Sequence, residues 1–453
     1  MFRARRLLAE PPRPAHPAQL VVGGFALVIV AGTGLLLLPP ASQGAGGAPF
    51  VTALFTSTSA VCVTGLVVVD TPTYWSGFGQ VVILVLIQVG GFGIMTLASL
   101  LTLLLARRIG LGTRLITQTE TQSLHLGDLR RVVLGVAALS AAFEGVAAVI
   151  IGARLWLGYD YTLGSAAYRG VFHAVSAFNN AGFALWSDSL VGFVSDGWIS
   201  LTVALAVIAG GLGFPVWLEL FARLRGRRRS TLHTKLTLVT TGALLVLGTV
   251  TILGFEWSND ATIGELSVPG KLLASFFQGG AMPRTAGFNS VDVGQMDEAS
   301  LLIQDMLMFV GGASASTAGG IKVTTFALLA LMALAEARGE PDVTAFGRRV
   351  PEPAHRQALL VAFVAMNAVV IGTLVLIAVS DFSLSRTLFE AISAFSTVGL
   401  STGITGEFST TGKLVLIGLM FIGRTGPYTV AVAVALRERR RRYRFPEERP
   451  IVG

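Results

Sequence analysis

Four tetrapeptides recur in phase along the 453 residues: Val63-Thr64-Gly65-Leu66, Asn180-Ala181-Gly182-Phe183, Thr285-Ala286-Gly287-Phe288 and Thr397-Val398-Gly399-Leu400. Their glycines lie 117, 105 and 112 residues apart. Ten residues before each stands a phenylalanine (Phe55, Phe172, Phe277, Phe389), and six before stand Ser59, Ser176, Ala281 and Ser393. Four coincidences in phase mark an internal repeat. The chemistry open to these segments is that of main-chain carbonyls. Glycine reaches backbone angles closed to other residues, so extended strands crowded on an axis can present rings of oxygens that replace a cation's hydration shell. The plainer use of such glycines is helix capping and packing.

Two other features carry possible chemistry. The run Gly311-Gly312-Ala313-Ser314-Ala315-Ser316-Thr317-Ala318-Gly319-Gly320, followed by Lys322, has no long side chain for ten residues, so a helix crossing it is weak. It reads as a break in a helix or as a close contact made by small residues. Arg424, in Gly423-Arg424-Thr425-Gly426-Pro427, falls within an apolar stretch where a charge must face a cavity or a partner such as Glu144. Enzyme signals are absent. The five histidines lack metal-ligand spacing, His173 reads as packing, no phosphate loop precedes a Lys-Ser or Lys-Thr pair, and the single Cys62 excludes a cysteine cluster.

These residues sit in a charge-poor chain. Asp, Glu, Lys and Arg make up 13% and apolar residues 53%, which excludes a disordered chain, a coiled coil and a nucleic-acid partner. From Thr71 to Ala106 there is no Asp, Glu, Lys or Arg. A bilayer core needs about 20 helical residues to cross it, and eight spans are predicted at roughly 19–38, 78–106, 132–156, 197–222, 235–255, 299–335, 357–380 and 411–436. Of the 34 basic residues, 26 fall in the N-terminal tail, in the connections after the second, fourth and sixth spans, and in the C-terminal tail. The positive-inside rule makes that side cytoplasmic, with both termini inside. The opposite connections carry Asp70, Asp196, Glu256, Asp292 and Glu390 among other carboxylates, which predicts an acidic outer face.

Each outer connection also holds an apolar run too short to span, which predicts a re-entrant helix followed by a glycine turn. Non-helical backbone at that depth is tolerated only inside protein or along a watery path. Four helix C-termini aimed at the membrane centre would attract a cation there. The fold class expected is an all-α membrane protein of four repeats, 1–108, 109–226, 227–338 and 339–453. Each repeat comprises a spanning helix, a re-entrant helix with its turn, and a second spanning helix, together arranged with pseudo-fourfold symmetry.

The repeat with glycines at Gly65, Gly182, Gly287 and Gly399 resembles the superfamily of potassium transporters that contains TrkH, KtrB and the plant HKT proteins. The segments 56–66 and 283–289 look like its pore loops, and the likeness covers nearly the whole chain. It is nearest to KtrB: the eight-span plan lacks the extra N-terminal helix pair usual in TrkH, and the ending 444–453 looks KtrB-like. The resemblance implies a potassium filter at Val63-Thr64-Gly65, Asn180-Ala181-Gly182, Thr285-Ala286-Gly287 and Thr397-Val398-Gly399. Sodium-preferring plant relatives have serine at the first glycine, so Gly65 implies potassium preference, with a sodium-permeable or potassium–sodium coupled carrier as the alternative. The resemblance also implies an intramembrane gate at 311–320, next to Lys322, with Arg424 at the pore constriction. It further implies a homodimer of two separate pores, a KtrA-like cytosolic ring binding ATP or ADP, contact with membrane lipid, no organic cofactor in this chain, and a place in the bacterial plasma membrane. The rival of another class is a membrane scaffold or embedded enzyme whose glycines only pack helices.

Overall fold

The computed structural model describes residues 17–44, 46–108, 129–226 and 230–435. Most of the basic residues used above to orient the chain, in 1–16, 109–128, 227–229 and 436–453, lie outside the described residues, as does the 444–453 ending.

Among the described residues the helices of eight residues or more are α1 (Pro17–Leu36), α2 (Phe50–Val61), α3 (Gly77–Arg108), α4 (Leu129–Gly158), α5 (Leu163–Phe178), α6 (Gly197–Leu212), α7 (Phe214–Leu224), α8 (Leu232–Phe255), α9 (Val268–Ser275), α10 (Glu298–Phe309), α11 (Val323–Ala337), α12 (Glu352–Ala378), α13 (Leu384–Phe395) and α14 (Thr410–Ala435). The short helices α2, α5, α9 and α13 precede the four glycine turns. Three of them start at a hydroxyl cap, where the side chains of Thr162, Ser267 and Ser383 accept from the N–H three residues on, satisfying a donor that a helix start leaves open. All four phenylalanines ten residues before the glycines are fully buried.

The units close on one another in a cycle. Helix α3 packs on α4 and α5; α6 packs on the turns that extend α9; α10 packs on α13 and α11 on α12; α14 packs back on α1 and α2. Polarity is inverted relative to a water-soluble protein. Ser57, Ser59, Thr64, Asn180, Thr285 and Thr397 are buried, while Leu27, Val149, Leu205, Val246 and Leu374 are between 61% and 71% exposed. A water-soluble monomer rarely leaves so much apolar surface uncovered.

Among the described residues three helices are long and apolar enough to cross a membrane alone, within α4, α8 and α12, and the α6–α7 pair would make a fourth. The predicted span 197–222 is not one helix: it bends by 97° between α6 and α7 at Gly213, whose φ of 80° no other residue type adopts easily. The span 299–335 is broken between Phe309 and Val323, around the small-residue run, as its composition predicted. The predicted acidic face loses three carboxylates to the interior, because Asp196, Glu256 and Glu390 are buried. Glu256 accepts from Asn259, Thr262 and the Asp297 N–H, which ties the start of α10 to the end of α8. Asp305 and Arg284 are buried too.

Candidate functional site

The four glycine turns share one backbone pattern. The residue two before each glycine and the glycine itself both have positive φ: Val63 55° and Gly65 94°, Asn180 61° and Gly182 71°, Thr285 74° and Gly287 64°, Thr397 49° and Gly399 95°. Positive φ at a β-branched residue such as Val63 or Thr397 is costly and persists only where the surroundings enforce it. The enforcement is visible. In units one, two and four the N–H of the residue before the glycine (Thr64, Ala181, Val398) donates to the carbonyl of Ser59, Ser176 or Ser393, at 2.7–2.8 Å. The hydroxyls of Ser59 and Ser393 accept from the glycine N–H itself, at 3.1 and 3.0 Å. Ala281 has no hydroxyl at this position, and unit three differs there: α9 continues into a π-helical stretch, Phe276–Ala281.

The turns meet. A methyl group on Gly65 would overlap the Ala181 carbonyl oxygen, one on Gly182 that of Ala286, one on Gly287 that of Val398, and one on Gly399 that of Thr64. The contacts run from each unit to the next and return to the first, making a closed ring of four backbones. All four glycines line one cavity of about 280 Å³, whose wall also holds Asp70, Trp186, Asp292 and Thr405. Among the described residues the hydroxyls of Thr64, Thr285 and Thr397 are buried without a hydrogen-bond partner.

The broken segment lies against this ring. Gly319 is so close to the Thr397 hydroxyl that a side chain would overlap it, and Gly311 approaches Thr285. The Thr317 hydroxyl donates to Asn180 Oδ1 at 2.9 Å, and the Asn180 amide donates to the Arg284 carbonyl at 3.2 Å. Val310 and Ile321 pair as a bridge, and Gly311 N donates to the Ile321 carbonyl at 2.8 Å, so the segment is an ordered loop. Ala313 N donates to the Gly211 carbonyl and Val323 N to that of Gly312. The Ser316 hydroxyl donates to the Ala313 carbonyl, and Lys322 Nζ to that of Ala318 at 2.6 Å. Ser314 faces Thr324, and the Ala315 carbonyl, with Ala315 at φ 60°, sits against Gly213 at the α6–α7 bend. Gly312, Ala318 and Gly320 are likewise buried. Arg424, 2% exposed, donates from Nη1 to the Thr317 carbonyl at 2.5 Å. Glu144 instead accepts from Asn179 at 3.1 Å.

Comparison with known proteins follows this geometry. The family of cation transport proteins called TrkH matches residues 5–441. The chain belongs to the TrkH family. It is 40% identical to the Ktr system potassium uptake protein B of Bacillus subtilis over 96% of this chain and 97% of the other. It is 37% identical to the protein of the same name from Vibrio alginolyticus (96% and 94% covered) and 34% identical to the potassium/sodium uptake protein NtpJ of Enterococcus hirae (96% and 97%). The fold is similar to that of the crystal structure of the potassium transporter TrkH from Vibrio parahaemolyticus. The TM-score is 0.73 at 18% identity, with 95% of this chain and 86% of the other covered. The family is one of cation transport proteins, and the helical fold with its exposed apolar surface fits a membrane protein.

Two sets of residues in this TrkH-family chain escaped the sequence reading. Gly90, Gly210 and Gly423, in the second helix of units one, two and four, lie so close to the carbonyls of Val61, Phe178 and Phe395 that a side chain would overlap them. They seat the end of each short helix, and their spacing from the turn glycine (25, 28 and 24 residues) differs by unit, which hides the match. Arg284 is the other: it is buried, donates to the Val310 carbonyl at 3.0 Å and also to that of Gly311, and so holds the start of the loop. Its place beside the Thr285 turn was the available signal.

Proposed function

We propose that the chain conducts potassium ions into a bacterial cell, through the ring of four glycine turns, down the electrochemical gradient. The observation that carries this is the closed ring at the floor of one cavity. Four extended segments with the same alternation of backbone angles converge where no side chain fits, so carbonyl oxygens are the ligands available to a dehydrated cation. The potassium uptake named for the Bacillus and Vibrio relatives supports the choice of ion. On this reading 63–65, 180–182, 285–287 and 397–399 are the filter, the four units form a pseudo-fourfold pore, and the outer cavity is its vestibule. The loop 311–320 is the gate beneath it, restrained by Arg284 and Arg424. Both termini face the cytoplasm, two chains form a dimer with one pore each, and a cytosolic nucleotide-binding ring moves the gate.

The test is growth on limiting potassium in a bacterial strain stripped of its own uptake systems, with and without a candidate ring subunit. Wild type is expected to restore growth. Failure to do so at confirmed membrane expression, with the ring present, would overturn the reading. One observation favours a second reading, potassium–sodium coupling: the Enterococcus relative is named for both ions. Potassium flux into liposomes that rises when sodium is added would select it.

A further inference from the structure

Nine residues before the turn glycines, directly after each buried phenylalanine, stand Thr56, His173, Gln278 and Glu390. The last three differ in chemistry, yet each is fully buried and each accepts a hydrogen bond from the same place in its own unit. That donor is the backbone N–H three residues after the glycine. Leu185 N donates to His173 Nε2 at 3.1 Å, Ser290 N to Gln278 Oε1 at 3.2 Å, and Thr402 N to Glu390 Oε1 at 3.1 Å. The imidazole roles follow from its other contact. His173 Nδ1 lies 2.7 Å from the Arg169 carbonyl, which can only accept, so Nδ1 carries the proton and Nε2 is the free acceptor. Glu390 goes further, accepting also from Ser401 at 2.5 Å and Thr405 at 2.8 Å. In unit one the shorter Thr56 holds the place, and the Ser59 hydroxyl grips Gly65 directly.

We propose that His173, Gln278 and Glu390 are positioning residues that set potassium-over-sodium discrimination by tethering the strand that leaves each turn glycine to the short helix behind it. The proposal rests on the pore reading above. A ring of carbonyls prefers the larger ion when its oxygens cannot follow a smaller one inward. Strand position is then a determinant of selectivity, and a backbone N–H held from behind by a rigid buried side chain fixes that position. The acceptors differ in how many bonds they take, Glu390 accepting three where His173 Nε2 and Gln278 Oε1 accept one each, so the fourth strand is held hardest and the ring is unequal by construction. A packing role alone would be met by any side chain of similar volume. An acceptor at this register in three units, aimed at the same N–H, is not explained by packing.

The test is liposome flux in potassium–sodium mixtures, comparing wild type with Gln278→Leu and Glu390→Leu, which remove the acceptor, and Glu390→Gln, which keeps it. Gln278→Leu is expected to lower the potassium-to-sodium flux ratio about fivefold, the weight of one ordinary hydrogen bond, and Glu390→Leu, which loses three, by at least as much, while Glu390→Gln stays within about twofold of wild type. If a leucine variant fails to fold, Gln278→Asn or Glu390→Asp, which withdraw the acceptor by one methylene, takes its place with the same expectation. Folded acceptor-less variants with the wild-type ratio would overturn the tether. Wild type that carries neither ion would overturn the pore reading beneath it.

Discussion

At the scale of single residues, the turn glycines are required twice over, by angle and by space. Gly65 combines φ 94° with a neighbouring carbonyl where a Cβ would stand. A side chain there brings backbone strain of about 1–3 kcal/mol, and it displaces Ala181 across the ring. Gly65→Ser is expected to lower the potassium-to-sodium flux ratio at least tenfold, since about 1.4 kcal/mol is a factor of ten. Gly34→Ala, in α1 with open space around it, is the control and should change nothing. An unchanged ratio in a folded Gly65→Ser protein would favour glycines that merely pack helices. The positions of these glycines were legible from their phase. The acceptors one residue beyond three of the phenylalanines were not, because histidine, glutamine and glutamate share no letter, only the ability to accept a hydrogen bond.

At the scale of elements, the break between α10 and α11 was legible, because ten small residues cannot hold a helix where no side chain shields its backbone. The bend at Gly213 was not: one glycine in an apolar run looks like any other, and only its contact with Ala315 distinguishes it. The loop between α10 and α11 is restrained from two sides, by Arg284 at its start and Arg424 at Thr317. Arg424→Ala removes one restraint and, on the pore reading proposed above, a positive charge from the ion path. Potassium flux without any regulatory subunit is expected to rise several-fold, by the roughly 1.5–3 kcal/mol that a charged hydrogen bond contributes. Equal or lower flux at equal expression would mean that Arg424 supports the open state.

At the scale of the whole molecule, helix ends are latched by buried carboxylates where a charged surface was expected. Asp196 caps α6 through the N–H groups of Trp198 and Ile199 and accepts from Arg154 at 2.7 Å and Tyr159 at 2.9 Å. Burial raises its pKa, but these four hydrogen bonds, with Arg154 foremost, outweigh burial and hold the carboxyl below its ordinary value. A depressed carboxylate stabilises the fold above its unfolded pKa, about 3.9, and that contribution is lost as pH falls through the folded value. Asp196→Ala is expected to lower the melting temperature in detergent near neutral pH, by the roughly 1 kcal/mol of a lost cap and at most about 1 more for the half-exposed ion pair. The gap to wild type should shrink as pH drops below 3.9. A gap independent of pH would mean that the carboxyl's charge is not what latches α6.

By itself the sequence determined the helical membrane class, the four-unit repeat, the glycine at each turn and the weak helix at 311–320. All of these are local: they depend on apolar length, on phase and on which residues a backbone angle admits. Tertiary structure decided the rest. The ring closes through carbonyls of residues more than a hundred positions away, Thr317 reaches Asn180 across 137 residues, and the buried Asp196 and Glu256 meet donors on Arg154 and Asp297, 42 and 41 positions off. Pairings over such distances leave no spacing to read, since their partners are chosen by packing and not by the chain between them.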